Sequence, residues 1–342
     1  MKETDSKGPE DVKASIPQAW RDASVLPLWL SRTAHRPPPP PPPPSHWQWA
    51  RLSALLKDAQ EQVNTEMVER RVLQLMATEL TDWSRESTCG QILGAIQCLL
   101  PGERARPHRH TMQALRFMLE GSGAVTVVNG KHCPMEFGDL ILTPSMAWHE
   151  HYHDGQDPVL WLDVLDVPLH IALQTIKFEP GPPPALPPLI PDKAFAPGMI
   201  PYAADGRKSG GDLYRYAYRD ASRALEACPI TDQRIKELRY INPETGDAAL
   251  HTLSCALQQV ERDLPMRTHR QYADQLFCVV EGEGYSEIGG HRVDWSTKGL
   301  FTVPRGQWVR HVPSTDQARF FVVSNAPLMR WLGCYEIENG SQ

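Results

Sequence analysis

Two short clusters of histidines suggest the chemistry of this chain. His108 and His110 form the first, and His149, His151 and His153 form the second. Side chains alternate between the faces of a β-strand, so the members of each cluster project from one face. If a barrel closes around them, His108, His110 and His149 can meet at one point. Three neutral imidazoles there would bind a divalent transition metal and leave positions open for substrate.

The alternative for these histidines is an ordinary solvent-facing position without a metal, which a single His-x-His pair would indicate. Here five of the 13 histidines fall in two clusters in which every second residue is a histidine, and turn glycines and a proline bracket each cluster. This combination favours the metal site over chance spacing.

Short strand patterns surround both clusters and predict a β-barrel or sandwich. Asn129-Gly130 and Gly289-Gly290 occupy matching places between strands and are typical of hairpin turns. The pattern therefore predicts an internal duplication of one β domain. The predicted strands are 93–100, 114–119, 124–128, 140–142 and 159–165, followed by 250–260, 275–280, 285–288, 300–303 and 319–324.

Helical and proline-rich stretches divide the chain into four predicted segments. Apolar residues recur every three or four positions over 49–76, which predicts one or two helices, and 219–238 is predicted to be partly helical. The eight prolines from Pro37 to Pro44 form polyproline II, either as a stiff spacer or as a recognition motif; we favour the spacer. The segments are a partly disordered tail and spacer (1–48), a helical segment with the metal-binding barrel (49–178), a proline-rich linker (179–201), and a helical segment with a second barrel (202–342).

Composition excludes several classes of protein. The 342 residues include 35 basic and 41 acidic ones, a net charge of −6, which argues against a nucleic-acid partner. The sequence contains no run of 18 apolar residues, so it predicts no membrane-spanning helix. Its polar N-terminus lacks the apolar stretch of a signal peptide. The seven scattered cysteines argue against a disulfide scaffold, so a cytoplasmic location is expected.

The segments GERARPHRHTMQALRFMLEG and GDLILTPSMAWH match the two cupin motifs. More narrowly, the chain from Leu26 onward resembles the gentisate 1,2-dioxygenase family of bicupin, ring-cleaving enzymes. The resemblance implies an all-β dominated fold of two cupin (jelly-roll β-barrel) domains, with helical segments before each barrel. It also implies one Fe(II) per chain in the N-terminal cupin, held by His108, His110 and His149, and a homotetramer. Ala114 stands where most cupins have a ligand glutamate, which this family also lacks.

Arg116 and Gln97 are the predicted catalytic and substrate-binding residues on the strands. Arg116 should face the metal within an otherwise apolar strand, and a buried arginine needs an anion. That anion is either a structural aspartate or, as the resemblance implies, the substrate carboxylate. Gln97 shares a strand face with Leu93 and Ala95, which should also contact the substrate. The family often has an aromatic residue at the position of Leu93, so the pocket is expected to be reshaped.

Three further residues have alternative roles. The resemblance implies that Arg71 reaches the active site, although a position on a surface helix fits equally well. His151 could act as an acid or base, because imidazole titrates near neutrality, or it could be a satisfied core histidine. His153 has no assigned role beyond an ordinary polar position.

The second cupin lacks a complete set of ligands. His269 is followed by Gln271 where the second histidine belongs, and Val309 occupies the third ligand position. One histidine cannot hold a metal, so His269 and His311 are expected to be ordinary polar residues.

The implied reaction opens the ring of a hydroxybenzoate between the carboxylate-bearing carbon and its hydroxylated neighbour, using O₂. Gentisate is the first expectation for the substrate, with substituted salicylates and 1-hydroxy-2-naphthoate as alternatives. An isomerase-type cupin or a non-catalytic bicupin is the alternative of another class. The isomerase would normally keep the glutamate ligand, and the non-catalytic protein would not need the three histidines.

Overall fold

The structure is a computed structural model that describes residues 16–28, 40–63, 68, 70–79, 86–186, 189–196, 199–201 and 213–340. The chain divides into two units, 1–40 and 41–342. The first contains one described helix, α1 (Gln18–Asp22). The predicted disorder of residues 1–15 and the first three prolines of the proline run lie outside the described residues. Within the described ranges, no helix has the length and apolar character needed to span a membrane.

The second unit is mostly β-structure. Its helices are α2 (Trp49–Gln62), α3 (Val167–Leu173), α4 (Tyr218–Glu226) and α5 (Ala326–Trp331), with a short 3₁₀ helix at Asp192–Ala194. The strands of the first half are β1 (His46–Trp47), β2 (Arg71–Leu75), β3 (Leu93–Leu99), β4 (Arg104–His110), β5 (Ala114–Glu120), β6 (Ala124–Val128), β7 (Lys131–Pro134), β8 (Leu140–Thr143), β9 (His149–His153), β10 (Val159–Leu165) and β11 (Phe178–Pro180). Those of the second half are β12 (Arg215–Tyr216), β13 (Lys236–Tyr240), β14 (Ser254–Glu261), β15 (His269–Gln271), β16 (Gln275–Glu281), β17 (Glu283–Ile288), β18 (His291–Ser296), β19 (Leu300–Val303), β20 (Val309–Pro313), β21 (Gln317–Ser324) and β22 (Ile337–Asn339).

The strands form two barrels with the same topology. In the first barrel a sheet of order β12-β8-β5-β10-β3-β2 faces a sheet of order β11-β4-β9-β6-β7. In the second, β1-β19-β16-β21-β14-β13 faces β18-β17-β20-β15-β22. Asn129-Gly130 and Gly289-Gly290 turn the matching hairpins β6–β7 and β17–β18, and all four residues have the positive φ that a two-residue turn requires. The predicted fold class, two cupin barrels in one chain, is confirmed.

The six-stranded sheets of the two barrels pack against each other through their outer faces. Residues from both halves form one apolar cluster there, in which Phe117 stacks on Phe321 with ring centroids 4.0 Å apart. Gly94 allows close approach, since a Cβ at this position would lie 2.7 Å from a methyl of Leu276. Every residue of β3 is therefore buried, because one face lines the barrel and the other meets the second barrel.

Two short edge strands each extend a sheet of the barrel that is formed by the other half of the chain. β1, within the segment predicted as tail and spacer, pairs with β19 of the second barrel. β12, which follows the proline-rich linker, pairs with β8 of the first barrel. The linker itself begins in β11, which pairs with β4 next to the histidine cluster.

The helix prediction over 49–76 is wrong at its C-terminal end, whereas 219–238 is partly helical as predicted. α2 ends at Gln62 and α4 at Glu226, so helices do precede each barrel, but 71–75 and 236–238 are strands. The apolar residues of β2 recur at positions that fit a helix as well as a strand, and pairing with β3 decides between them. Tertiary pairing therefore overrides the local pattern.

Arg71 lies on β2 and faces away from the barrel interior. Its guanidinium donates two hydrogen bonds to Glu103, at 2.9 and 3.0 Å, and two to the carbonyl of Val63. Only 3 % of the arginine side chain is exposed. Glu103 also accepts from the backbone N–H of Leu100, so this ion pair ties the end of β3 to the segment before β2.

We predict that Arg71→Met destabilises the fold without altering turnover by the folded protein. Leaving Glu103 without its buried partner should cost about 3–5 kcal/mol, or a fall of roughly 5–10 °C in Tm. The matched control is Arg104→Met, because the Arg104–Asp154 pair is 65 % exposed on both sides. Calorimetry and kcat/KM measured together check this, and an unchanged Tm for Arg71→Met would contradict it.

Candidate metal centre and substrate cavity

Three histidines converge inside the first barrel. His108 and His110 lie on β4, and His149 lies opposite His108 on the paired strand β9. Ring centroids are 4.2 Å apart for His108 and His149, and 4.8 Å for His110 and His149. One nitrogen from each of the three residues falls within 4.8 Å of the others. The structure therefore brings together the three residues that the sequence predicted as ligands.

Backbone carbonyls fix the orientation of all three rings. Each Nδ1 lies 2.8 to 3.0 Å from the carbonyl oxygen of a residue two positions away along the chain. The three carbonyls belong to Arg106, Met112 and Ala147. Because a carbonyl can only accept, each Nδ1 carries the proton and each Nε2 keeps a lone pair. The Nε2 atoms of His108 and His149 are buried and have no partner among the described residues.

Burial keeps these imidazoles neutral. It lowers the pKa of His108 to about 4, with the charge of Arg70 adding to the effect, and it lowers the pKa of His110 to about 3. The pKa of His149 is lowered well below its usual value for the same reason. Three neutral nitrogen donors with unused lone pairs fit a divalent transition metal. The buried Ala114 contributes no carboxylate to this set.

His151 lies two residues beyond His149 on the same face of β9 and is fully buried. Its Nδ1 is 2.9 Å from the hydroxyl of Thr126, and its ring lies 5.4 Å from that of Trp161. The Nε2 atom has no partner among the described residues. His151 is thus held on one side only, whereas a satisfied core histidine would use both nitrogens.

His153 has a structural role that the sequence did not indicate. Its Nε2 donates to the carbonyl of Asp157 at 2.6 Å, and its Nδ1 accepts from the N–H of Gly155 at 3.2 Å. Both nitrogens are occupied, so the ring closes the turn between β9 and β10.

Arg116 faces the barrel interior, as strand alternation predicted. Its Nε lies 3.2 Å from Asp163, directly across on β10, and its Nη1 donates to Thr143 at 3.0 Å. Nη2 donates to no residue in the described ranges. Burial lowers the pKa of Arg116 and raises that of Asp163, and their attraction opposes both shifts. The aspartate that the sequence left as an alternative is present, and it leaves one edge of the guanidinium available.

Gln97 is buried beside this pair, and neither atom of its amide has a partner in the described part of the chain. It is paired across the sheet with Trp161, and Ala95 is paired with Asp163. Leu93 lies on the same face of β3. An unsatisfied amide in an apolar wall is costly unless a ligand or water completes it.

Arg71 does not reach this cavity, which corrects the prediction. In the strand register Val72 lies across from Gln97 and so faces inward, which turns Arg71 outward. Arg70 immediately precedes β2. Burial lowers the pKa of His108, and the charge of Arg70 is the next largest cause. The neighbour of Arg71 therefore acts on the metal centre through its charge.

Sequence reasoning also missed Asp163 and Thr143. Asp163 had a readable signal, because it is the one acidic residue in the apolar strand VLWLDVL and shares a face with Trp161. The same argument that selected Arg116 would have selected it. Thr143 gave no comparable signal, because a threonine is ordinary in a strand.

The second barrel repeats the arrangement without the metal ligands. His269 lies across from Val309 as His108 lies across from His149. His311 corresponds to His151, with Nδ1 2.7 Å from the hydroxyl of Ser286. Burial lowers the pKa of His311 to about 3. In the described part of the chain, no histidine or carboxylate joins His269 to form a metal site.

Comparison with known proteins agrees with this architecture. Residues 95–165 match the cupin domain family. The chain is 35 % identical over 334 residues to a gentisate 1,2-dioxygenase of Ralstonia sp, covering 94 % of each. It is 30 % identical to a 5-aminosalicylate 1,2-dioxygenase of Comamonas sp, covering 92 % of this chain and 86 % of the other.

A solved structure shows the same fold over nearly the whole chain. The salicylate 1,2-dioxygenase of Pseudoaminobacter salicylatoxidans, crystallised with gentisate, superposes with a TM-score of 0.85 at 27 % identity, covering 99 % of this chain and 96 % of that one. Two cupin barrels, a three-histidine centre in the first and full-length similarity to ring-cleaving enzymes agree with one another. The chain therefore belongs to the gentisate 1,2-dioxygenase family of bicupin dioxygenases.

Proposed function

We propose that this protein is an Fe(II)-dependent dioxygenase that opens the ring of a gentisate-type hydroxybenzoate. The reaction would break the ring bond between the carboxylate-bearing carbon and its hydroxylated neighbour. One observation carries the proposal: three neutral imidazoles present their lone pairs beside the buried cation Arg116. The relatives that act on gentisate and 5-aminosalicylate support this choice of substrate class.

His108, His110 and His149 would hold the iron, one per chain. When bound, the metal supplies a site at which an aromatic hydroxy acid and O₂ meet, and it stabilises negative charge there. The backbone carbonyls that hold the three Nδ1 protons keep the lone pairs directed at that point. The protein therefore contributes a preorganised donor set that does not need to rearrange.

Arg116 and Gln97 would bind the substrate. Asp163 and Thr143 hold two edges of the guanidinium, and Nη2 is left to donate to the substrate carboxylate. The Arg116–Asp163 pair is neutral overall, so the carboxylate would be bound through the directed, charge-assisted hydrogen bond from Nη2. The amide of Gln97 would satisfy its donor and acceptor on the substrate's oxygen atoms.

His151 would act on the substrate hydroxyl. Its neutral ring is buried, fixed through Thr126 and open at Nε2. When the Thr126 hydroxyl donates to the sulfur of Met135 at 3.2 Å, Nδ1 carries the proton and Nε2 accepts. Because burial disfavours the charged ring, His151 would stay neutral and orient the substrate hydroxyl by accepting its hydrogen bond at Nε2.

Substrate size would be set by Leu93 and Ala95, on the inner face of β3. An aliphatic side chain at residue 93 leaves room beside the ring, which keeps substituted salicylates and 1-hydroxy-2-naphthoate as alternative substrates. The deciding experiment is an oxygen-electrode screen of the iron-loaded enzyme against gentisate, 5-aminosalicylate, salicylate and 1-hydroxy-2-naphthoate. An absence of O₂ uptake with all four would overturn the proposal and favour a non-catalytic or isomerase-type bicupin.

We also propose a homotetramer in the cytoplasm. The family resemblance supports the tetramer, and the seven free cysteines suit a reducing compartment. Light scattering coupled to size-exclusion chromatography measures the oligomeric state directly.

We predict that His149→Ala loses the iron, because two imidazoles hold Fe(II) weakly. The wild type should carry one iron per chain. His269→Ala, at the position in the second barrel that corresponds to His108, is the matched control and should keep the iron. Metal analysis of the three purified proteins checks this. Two irons per wild-type chain would refute the assignment of the second barrel as metal-free.

Variants of the Arg116–Asp163 pair can separate the structural role of Arg116 from its role in substrate binding. Arg116→Leu should lower kcat/KM by about 30-fold to several thousand-fold, since one member of a buried charge pair is lost. It should also lower Tm, because Asp163 is left unpaired. The double variant Arg116→Leu/Asp163→Leu should recover Tm but not kcat/KM. Recovery of both quantities would show that Arg116 does not bind substrate.

Leu93→Ala should shift preference toward the two-ring substrate. The added space should raise the kcat/KM ratio of 1-hydroxy-2-naphthoate to gentisate by about 10-fold. Leu99→Ala is the control, because Leu99 lies on the same strand face but packs in the barrel core. It should lose stability and leave the ratio unchanged. An equal change of ratio in both variants would argue against a role for Leu93 in the pocket.

A further inference from the structure

The second barrel contains a cavity of about 420 Å³ with a largely polar wall. Its side chains include Glu237, Gln258, His269, Gln271, Gln275 and Arg330. A cavity of this size accommodates a small organic molecule. Among the described residues, this barrel has no counterpart of the three-histidine centre of the first.

Strand register shows that this cavity is the counterpart of the proposed substrate cavity. Gln258 lies across from Phe320 on β21, as Gln97 lies across from Trp161 on β10. His269 occupies the place of His108. The cavity therefore lies beside the residues that correspond to the proposed substrate-binding groups of the first barrel, and those groups have been replaced.

The replacements exchange a metal-binding centre for hydrogen-bonding groups. Gln271 stands at the position of His110, and Gln275 stands at that of Ala114. The side chain of Gln275 is 5 % exposed, and its Oε1 has no partner in the described chain. The Oε1 of Gln271 accepts from the hydroxyl of Tyr335 at 3.0 Å, and its amide nitrogen donates to no described residue. The cavity thus offers a buried acceptor and a donor to a hydroxylated ligand.

The cation has also changed place. Phe277 lies across from Val322, where the first barrel has Arg116 across from Asp163. Arg330, an exposed residue on α5 that lines the cavity, lies 4.3 Å over the ring of Tyr335 and forms no ion pair with a described residue. Arg239 also lines the cavity but is paired with Glu237 at 2.6 Å, so a carboxylate would be bound by Arg330.

We propose that the second barrel binds a second hydroxybenzoate molecule, without metal and without turnover. The choice of ligand rests on the proposed function, because the cavity descends from the same substrate cavity. Gln275 and Gln271 would bind the ring hydroxyls, and Arg330 would bind the carboxylate. With no metal at the site, the bound molecule stays intact.

The test counts gentisate molecules bound by the iron-loaded full-length enzyme under anaerobic conditions, by isothermal titration calorimetry. The wild type should bind two per chain. Gln275→Leu should weaken the second site by about 10-fold and Arg330→Gln by about 10- to 100-fold, since a charge-assisted bond is lost. The first site should be unchanged in both. The matched control Arg310→Gln, at an exposed pair with Glu287, should keep both sites unchanged.

The two proposals fail in different ways. One gentisate per wild-type chain, or a second site unaffected by both variants, overturns the inference about the second barrel. In His149→Ala the iron-dependent site should be lost and the second site kept, which supports the inference. If the wild type binds gentisate only at the site that depends on Gln275 and shows no O₂ uptake, the proposed function fails and the second site stands.

Discussion

The carbonyl groups that receive the Nδ1 protons of His108, His110 and His149 determine what the first barrel can do. A neutral imidazole has one proton and one lone pair, so fixing the proton fixes the direction of the donor. The carbonyls belong to residues two positions away on the same strands or their adjoining turns. The barrel's backbone conformation therefore sets the coordination geometry, and the strands around it serve to hold that conformation.

A second constraint comes from duplication. The six-stranded sheets bury both faces, one inside a barrel and the other against the partner barrel, so their strands are nearly continuous apolar runs. Polar residues on the inner faces stand out against this background. Arg116 and Asp163 neutralise each other across β5 and β10, whereas the corresponding positions in the second barrel are Phe277 and Val322. The same pair of strand positions thus carries an ion pair in the first barrel and two apolar side chains in the second.

The sequence predicted the fold class and the three converging histidines, because strand alternation is strict and the motif spacing fits two paired strands. It placed Arg116 inward for the same reason. It failed where local pattern and pairing compete, because the residues of β2 fit a helix as well as a strand. Arg71 was proposed for the active site through the family resemblance, whereas its guanidinium is bound to Glu103. The turn-closing role of His153 was also beyond the sequence, because it depends on where the backbone of Gly155 and Asp157 passes. Asp163 could have been found by the argument used for Arg116.

β1 and β12 each pair with the barrel of the other half of the chain, so the order in which the sheets are completed depends on the order of the chain. The first barrel needs Arg215–Tyr216 to extend its sheet beyond β8, so that sheet is complete only after the proline-rich linker has been synthesised. The second barrel pairs His46 and Trp47 with Phe301 and Leu300, a contact that spans most of the polypeptide. Such distant pairings carry a large loop-closure entropy and form slowly. Cutting the chain at the linker would leave each fragment without an edge strand that lies on the other.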